Sequence, residues 1–192
     1  AGTLMYYPRT PNYSICRIPF GVVAIDPYAF YDNEYIEKLV LPDTLMWYPD
    51  LTKMKNLKEI VVSDTATGFS VIDGVLFSKD GNKLISYPIK KEGKVYHVPN
   101  SVKEIWVKAF PKKCSIEQLF LPSSVTSFSL SLWNLKNIQN VTIEDGNSSW
   151  TTIDGVLFNR DCTVLVKYPS NKPYFSYRIP DSVLGIRENA FA

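Results

Sequence analysis

The string Ile18-Pro19-x-x-Val22-x-x-Ile25-x-x-x-Ala29-Phe30 constrains this chain more than any other feature, because it occurs three times. It returns as Val98-Pro99-x-x-Val102-x-x-Ile105-x-x-x-Ala109-Phe110 and as Ile179-Pro180-x-x-Val183-x-x-Ile186-x-x-x-Ala190-Phe191, at spacings of 80 and 81 residues. Self-similarity at a fixed period implies a stacked solenoid, in which each unit contacts only its neighbours.

The long period is compound. Ile36-Glu37-Lys38-Leu39-Val40-Leu41-Pro42 matches Ile116-Glu117-Gln118-Leu119-Phe120-Leu121-Pro122, and Leu57–Val62 matches Ile138–Ile143. Ile72-Asp73-Gly74-Val75-Leu76-Phe77 matches Ile153-Asp154-Gly155-Val156-Leu157-Phe158. A trailing Leu-x-x-Tyr-Pro stands at Leu4, Leu84 and Leu165. Strand ends fall 23, 21 and 36 residues apart in the first unit and 23, 22 and 36 in the second. Two of the three steps have leucine-rich-repeat length; the third carries an insertion. The units read as roughly 4–83, 84–164 and a partial 165–192, within one solenoid.

Each short step has a physical reading. Leu39 and Leu41 alternate on one face of a strand, while Lys38 and Val40 point the other way. The proline that follows has no N–H for a ladder and ends the strand. The Val-x-x-Ile-x-x-x-Ala-Phe stretch forms the return leg. Its alanine permits close stacking, and Phe30, Phe110 and Phe191 are expected to fill the interior. In the insertion, Val75–Phe77 and Lys83–Ile85 flank an Asp80-Gly81 turn, a hairpin signal because glycine accepts positive φ. Cys162 replaces Gly81 in the second copy, so that turn is expected to be strained or differently shaped. Asp73-Gly74 and Asp154-Gly155 read as turn chemistry, since the other oxygen ligands of a calcium loop are missing.

Composition narrows the function. A 45% hydrophobic fraction with 14% aromatics suffices for a core, and the net charge of +2 comes from interspersed signs. That balance gives no argument for nucleic acid or an anionic membrane. The longest basic cluster, Lys90, Lys91 and Lys94, reads as a solvated loop. No run approaches a membrane span, and no signal peptide is visible. The pattern starts and stops inside repeat elements and lacks polar caps, so the reading expects an excerpt of a longer repeat protein. Cys16, Cys114 and Cys162 are odd in number and dispersed, which argues against a disulfide framework; Cys16 reads as a small buried hydrophobe.

No catalytic, cofactor or metal site is expected. The single histidine, His97, takes an outward strand position where the other copies have Arg17 and Arg178, and no phosphate loop or dinucleotide fingerprint occurs. Recurring acidic residues lie a full unit apart and mark the repeat. The sequons at Asn12, Asn140 and Asn147 matter only if the source glycosylates secreted proteins. The informative surface is the outward strand face. It is expected to present Arg17, Lys38, Val40, Glu59, Val61, His97, Gln118, Phe120, Thr142 and Arg178, with Ile15, Val95, Asn140 and Ser176 beside them. Outward apolar residues among charges can form a binding surface or simply pack beside their neighbours on the sheet.

Together, the Ile-Pro-x-x-Val-x-x-Ile-x-x-x-Ala-Phe, Leu-x-Leu-Pro and Ile-Asp-Gly-Val-Leu-Phe motifs resemble the BspA-like leucine-rich repeats, from Leu4 to Phe191. Cys114 matches the cysteine common after Ala-Phe in that family, and the first copy departs from it. The resemblance implies a leucine-rich-repeat solenoid, α/β or mainly β, with short parallel strands on one face, irregular or short-helical return legs and inserted hairpins. It also implies a noncatalytic surface or secreted protein of host-associated bacteria, located outside the cell and engaging a protein or glycan, with adhesion as the expected role. The rival reading is a spacer that holds another domain away from the cell. No asparagine ladder is visible, so proline and aromatic packing are expected to support the turns.

Overall fold

The computed structural model describes residues 2–9, 13–128, 132, 134–174 and 176–191. The chain is a mainly-β solenoid with no α-helix among the described residues. Its front is built from parallel ladders: β2 (Ile15–Arg17), β4 (Lys38–Val40) and β5 (Glu59–Val61), then β9 (Val95–His97), β11 (Gln118–Leu121) and β13 (Asn140–Ile143). The register aligns Cys16, Leu39 and Ile60, then Tyr96, Leu119 and Val141, and every one of these faces inward and is buried. Alternation with period 2 sets which residues face the core.

The return legs are largely irregular, as expected, without an α-helix among the described residues. Four of them also hold a short strand that was not foreseen: β3 (Val22–Ile25), β10 (Glu104–Ile105), β12 (Ser127–Phe128) and β17 (Gly185–Ile186). These build a back face, in which β1 (Gly2–Leu4) pairs with β3 and β8 (Lys83–Ser86) with β10, both parallel. β-branched residues at the Val-x-x-Ile spacing suit such strands.

The insertion is larger than a two-stranded hairpin. β6 (Phe69–Ile72), β7 (Val75–Ser78) and β8 form an antiparallel meander, and β14 (Trp150–Ile153), β15 (Val156–Asn159) and β16 (Val164–Lys167) repeat it. Asp73-Gly74 and Asp154-Gly155 are the tight turns of these meanders, with φ of +49° and +74° in the first and +50° and +74° in the second. Positive φ at both central residues is the hairpin turn that asparagine or aspartate followed by glycine favours. The Val-Leu-Phe runs do not alternate because both faces of β7 and β15 are buried. Val75 and Phe77 join the central core cluster while Leu76 joins the preceding one; Leu157 joins the central cluster while Phe158 joins the following one. Each meander therefore welds successive units together, as sheets buried on both faces require continuous apolar sequence.

The turn at Cys162 keeps the shape of the one at Gly81. Both residues donate their N–H to the carbonyl three positions earlier, at 2.9 Å for Gly81 and 3.0 Å for Cys162. Cys162 holds φ of +55° to do so, which costs on the order of 1 kcal/mol.

Polar side chains support the turns more than expected. After four of the strand-ending prolines, Pro42, Pro99, Pro122 and Pro180, the hydroxyl two residues on donates to a carbonyl of the preceding rung: Thr44 to Val22 (2.8 Å), Ser101 to Gly81 (3.0 Å), Ser124 to Val102 (2.7 Å) and Ser182 to Cys162 (3.0 Å). The Asn56 and Asn137 amides likewise donate to Glu34 and Cys114 carbonyls. These exposed and half-buried bonds tie each rung to the one before it. Aromatic packing also recurs: Tyr7 on Phe30, Tyr87 on Phe110 and Tyr168 on Phe191, with ring centroids 5.6, 5.8 and 5.2 Å apart. In each pair the tyrosine N–H donates to the carbonyl of the neighbouring Ala29, Ala109 or Ala190 at 2.8 Å.

Candidate binding faces

The outward strand residues do not form one continuous surface. β5 and β9 belong to different sheets, and beyond β5 the Ile60 N–H donates to the carbonyl of Gly74. The tip of the first meander interrupts the ladder there, and Gly155 accepts from Val141 at the equivalent point of the second unit. Arg17, Lys38, Val40, Glu59 and Val61 form one patch, and His97, Gln118, Phe120 and Thr142 another. Arg178 and Ser176 are exposed but lie in no strand. Arg178 faces Asp181 at 3.6 Å with both side chains almost fully in solvent.

In the first patch Lys38 pairs with Glu59 across the rungs at 2.9 Å. Both are half-exposed, so the pair aligns the strands more than it stabilises them. In the second patch, direct register places His97 beside Phe120 and Phe120 beside Thr142. The His97 and Phe120 rings stack nearly parallel, with centroids 4.3 Å apart and planes 6° apart. They border a shallow groove of about 280 Å³ that Pro122 and Glu144 also line. This brings an imidazole, an aromatic ring, a hydroxyl and a carboxylate to one concavity.

The other groups are structural. Cys16 and Cys114 are buried, and burial pushes both thiols up to about 11, which keeps them protonated and unreactive at neutral pH. Asn147 is buried, accepts from the Ser149 and Trp150 N–H groups and donates to the Val125 carbonyl, so its sequon is enclosed. Asn12 lies outside the described residues. No cluster of three or more metal-ligating side chains occurs among the described residues, and no helix there is long and apolar enough to cross a membrane.

A second, larger concavity of about 870 Å³ lies on a lateral edge, where the chain passes from back strands to front strands. Sequence reasoning missed it, because its lining comes from five successive crossings spread between Pro27 and Asn134. Buried Asp50 anchors one wall. Its carboxylate accepts from the Thr52 N–H and hydroxyl and from Lys108 Nζ at 2.6 Å, which bridges 58 residues of sequence. Burial pushes the Asp50 carboxyl up, but the bonds from Lys108 and Thr52 outweigh it and hold the group below its ordinary value of 3.8.

A depressed folded-state pKa means that this contribution to stability is complete above the unfolded-chain value and is lost as pH falls through the lower folded value. Lys108→Met is therefore expected to cost about 1 kcal/mol at pH 7, after allowing for the half-exposed ammonium. The difference from the parent should shrink as pH falls through the lowered folded value and vanish once the carboxyl is protonated in both states. Urea unfolding at pH 7 and at successively lower pH checks this. A pH-independent cost would mean that Lys108 acts through packing alone.

The comparisons with known proteins agree with this architecture. The family model described as the BspA type leucine-rich repeat region matches in six copies over residues 7–83 and 90–192. A solved leucine-rich repeat protein from Eubacterium ventriosum is similar over all of this chain and 50% of its own, at 16% identity and a TM-score of 0.59. A leucine rich cell surface protein from Faecalibacterium prausnitzii is similar over 95% of this chain and 52% of its own, at 21% identity and a TM-score of 0.52. The chain thus spans about half the length of each, and at these identities the likeness establishes the fold. Comparison with curated proteins gives no significant match.

Proposed function

The chain belongs to the BspA-type leucine-rich repeat proteins, and on that premise we propose that it is a noncatalytic module that binds a protein or glycan through its front strand face. On this reading it works outside the cell, at the bacterial surface or secreted, in adhesion or host interaction; the likeness to a leucine rich cell surface protein supports that reading. Solenoid repeats create extended surfaces suited to large partners. The observation that carries the reading is the stacked His97–Phe120 pair beside the shallow groove. An aromatic anchor bordered by a hydroxyl and a carboxylate has the composition of an interface hot spot. The patch of Arg17, Lys38, Val40, Glu59 and Val61 offers a separate contact area on the other side of the meander tip, Gln118 and Thr142 flank the aromatic pair, and exposed Arg178 lies outside the strands.

The test begins with a binding screen of the full chain against extracellular-matrix proteins and glycans. For the partner found, Phe120→Ala is expected to weaken affinity about tenfold or more, as truncation of an aromatic anchor does. Arg17→Ala should weaken it less. Both variants should melt close to the parent, because Phe120 is half-buried and Arg17 is exposed. Unchanged affinity in both variants removes the strand face from the site.

A further inference from the structure

We propose that the lateral-edge groove is a second binding site, built for a linear anionic polysaccharide carrying sulfate or carboxylate groups. Six lysines line it: Lys53, Lys55, Lys90, Lys108, Lys112 and Lys113. Against them stand only Glu34 and Asp50, and both are already engaged. Glu34 pairs with Lys55 at 2.7 Å and Asp50 with Lys108 at 2.6 Å. Lys53, Lys90, Lys112 and Lys113 are exposed and make no ion pair among the described residues. In a protein of net charge +2, this is a local concentration of positive charge in a concave wall, where the field is focused.

The repeat supplies an internal control. At Lys90 the chain one unit on keeps the same backbone bond: Lys90 donates its N–H to Leu57 and its counterpart Asn171 to Ile138, both at 2.8 Å. Yet the four lysines without an ion pair do not recur, whereas Lys55, paired with Glu34, does, as Lys136. Lys53 corresponds to Asn134, Lys90 to Asn171, Lys112 to Asp32 and Lys113 to Asn33. The backbone that carries Lys90 accepts asparagine one unit on, so stacking does not require that ammonium group, and none of the four is held in an ion pair among the described residues. Ligand binding accounts for them.

Shape and chemistry select the ligand class. Five adjacent crossings span about 19 Å at the usual spacing of strands, which suits a chain and exceeds a single anion. The charges are all lysine, compact points on flexible stems, without the arginine forks that grip phosphate bidentately. Tyr28 presents an exposed ring to the groove, with Pro27 and Pro111 beside it, a surface on which a pyranose ring can lie. Single-stranded nucleic acid would call for a series of stacking rings along a basic track, and Tyr28 stands alone as an exposed ring in the lining.

The test compares the parent chain with Lys90→Gln/Lys112→Gln/Lys113→Gln and with a charge-matched control, Lys79→Gln/Lys103→Gln/Arg160→Gln, whose positions are exposed outside the groove. The probes are a heparin oligosaccharide, polygalacturonate and a thymidine oligonucleotide of equal length. The parent is expected to bind at least one of the two polysaccharides. The groove variant should lose about tenfold in affinity at physiological salt and show a shallower salt dependence, since fewer charges are engaged. The control should stay within about twofold. The pattern of sulfate against carboxylate binding identifies the preferred group. Absence of polysaccharide binding, equal loss in the control, or tighter binding of the oligonucleotide overturns the proposal. Because Phe120→Ala leaves this edge intact, a failed strand face and a failed groove are told apart.

Discussion

Truncating Phe110 to alanine is expected to destabilise the protein by about 3–5 kcal/mol, the range for a large buried aromatic. Phe110 is fully buried, and its ring lies 5.8 Å from Tyr87 and 6.5 Å from Tyr96. The backbone beside it is fixed, since the Tyr87 N–H donates to the Ala109 carbonyl at 2.8 Å. In a solenoid each rung is held by its neighbours, so the cavity should also broaden the urea transition by uncoupling the two flanking units. The matching substitution Phe191→Ala provides the contrast. Phe191 has the same place in the motif but is 51% exposed, and its loss should cost less than about 1 kcal/mol. Equal costs at the two positions would mean that motif membership, and not burial, sets the energy.

The Gly155→Val variant is expected to lose about 3 kcal/mol, from two sources. The first is backbone strain. Gly155 holds φ of +74°, a conformation that is unfavourable for a β-branched residue. The second is collision, since a Cβ there would sit 1.8 Å from the Asn140 Oδ1. Asn140 must then swing away and release its amide bond to the Thr142 hydroxyl, now 3.0 Å. Gly74→Val isolates the first source. Gly74 has the same φ of +74°, but its nearest neighbour would be Glu59 Cγ at 3.3 Å. It should therefore cost about 1 kcal/mol less, the worth of the bond that Asn140 gives up. Chemical unfolding of the pair measures the difference directly, and a Gly74 variant as damaged as the Gly155 variant would assign the whole effect to φ.

Much of this architecture is written locally. The inward alternation of Leu39 and Leu41, the strand-ending prolines and the Asp-Gly turns are period and turn chemistry, which need no tertiary partner to be recognised. The hydroxyl ladder was not foreseen, although serine or threonine stands two residues after Pro42, Pro99, Pro122 and Pro180, because its acceptors are visible only once rungs are stacked. The third strand of each meander was harder to see. Phe69–Ile72 and Trp150–Ile153 share little sequence, and pairing with β7 and β15 is what makes them strands.

The faces were less legible than the fold. Strand alternation gave the inward residues of each ladder, but Arg178 and Ser176, expected on a strand, lie in none. Alternation could not show that the meander tips at Gly74 and Gly155 divide the outward residues, nor that His97 lies flat on Phe120, because both depend on which rungs become neighbours. The edge groove had no sequence signal of its own beyond lysines that fail to repeat. By itself the sequence determined the repeat, the inward residues and the turns, since each follows from the chemistry of a few consecutive positions. Only the tertiary structure decided where two patches end and where six lysines meet, since stacking brings together side chains that lie a rung or a whole unit apart in the chain.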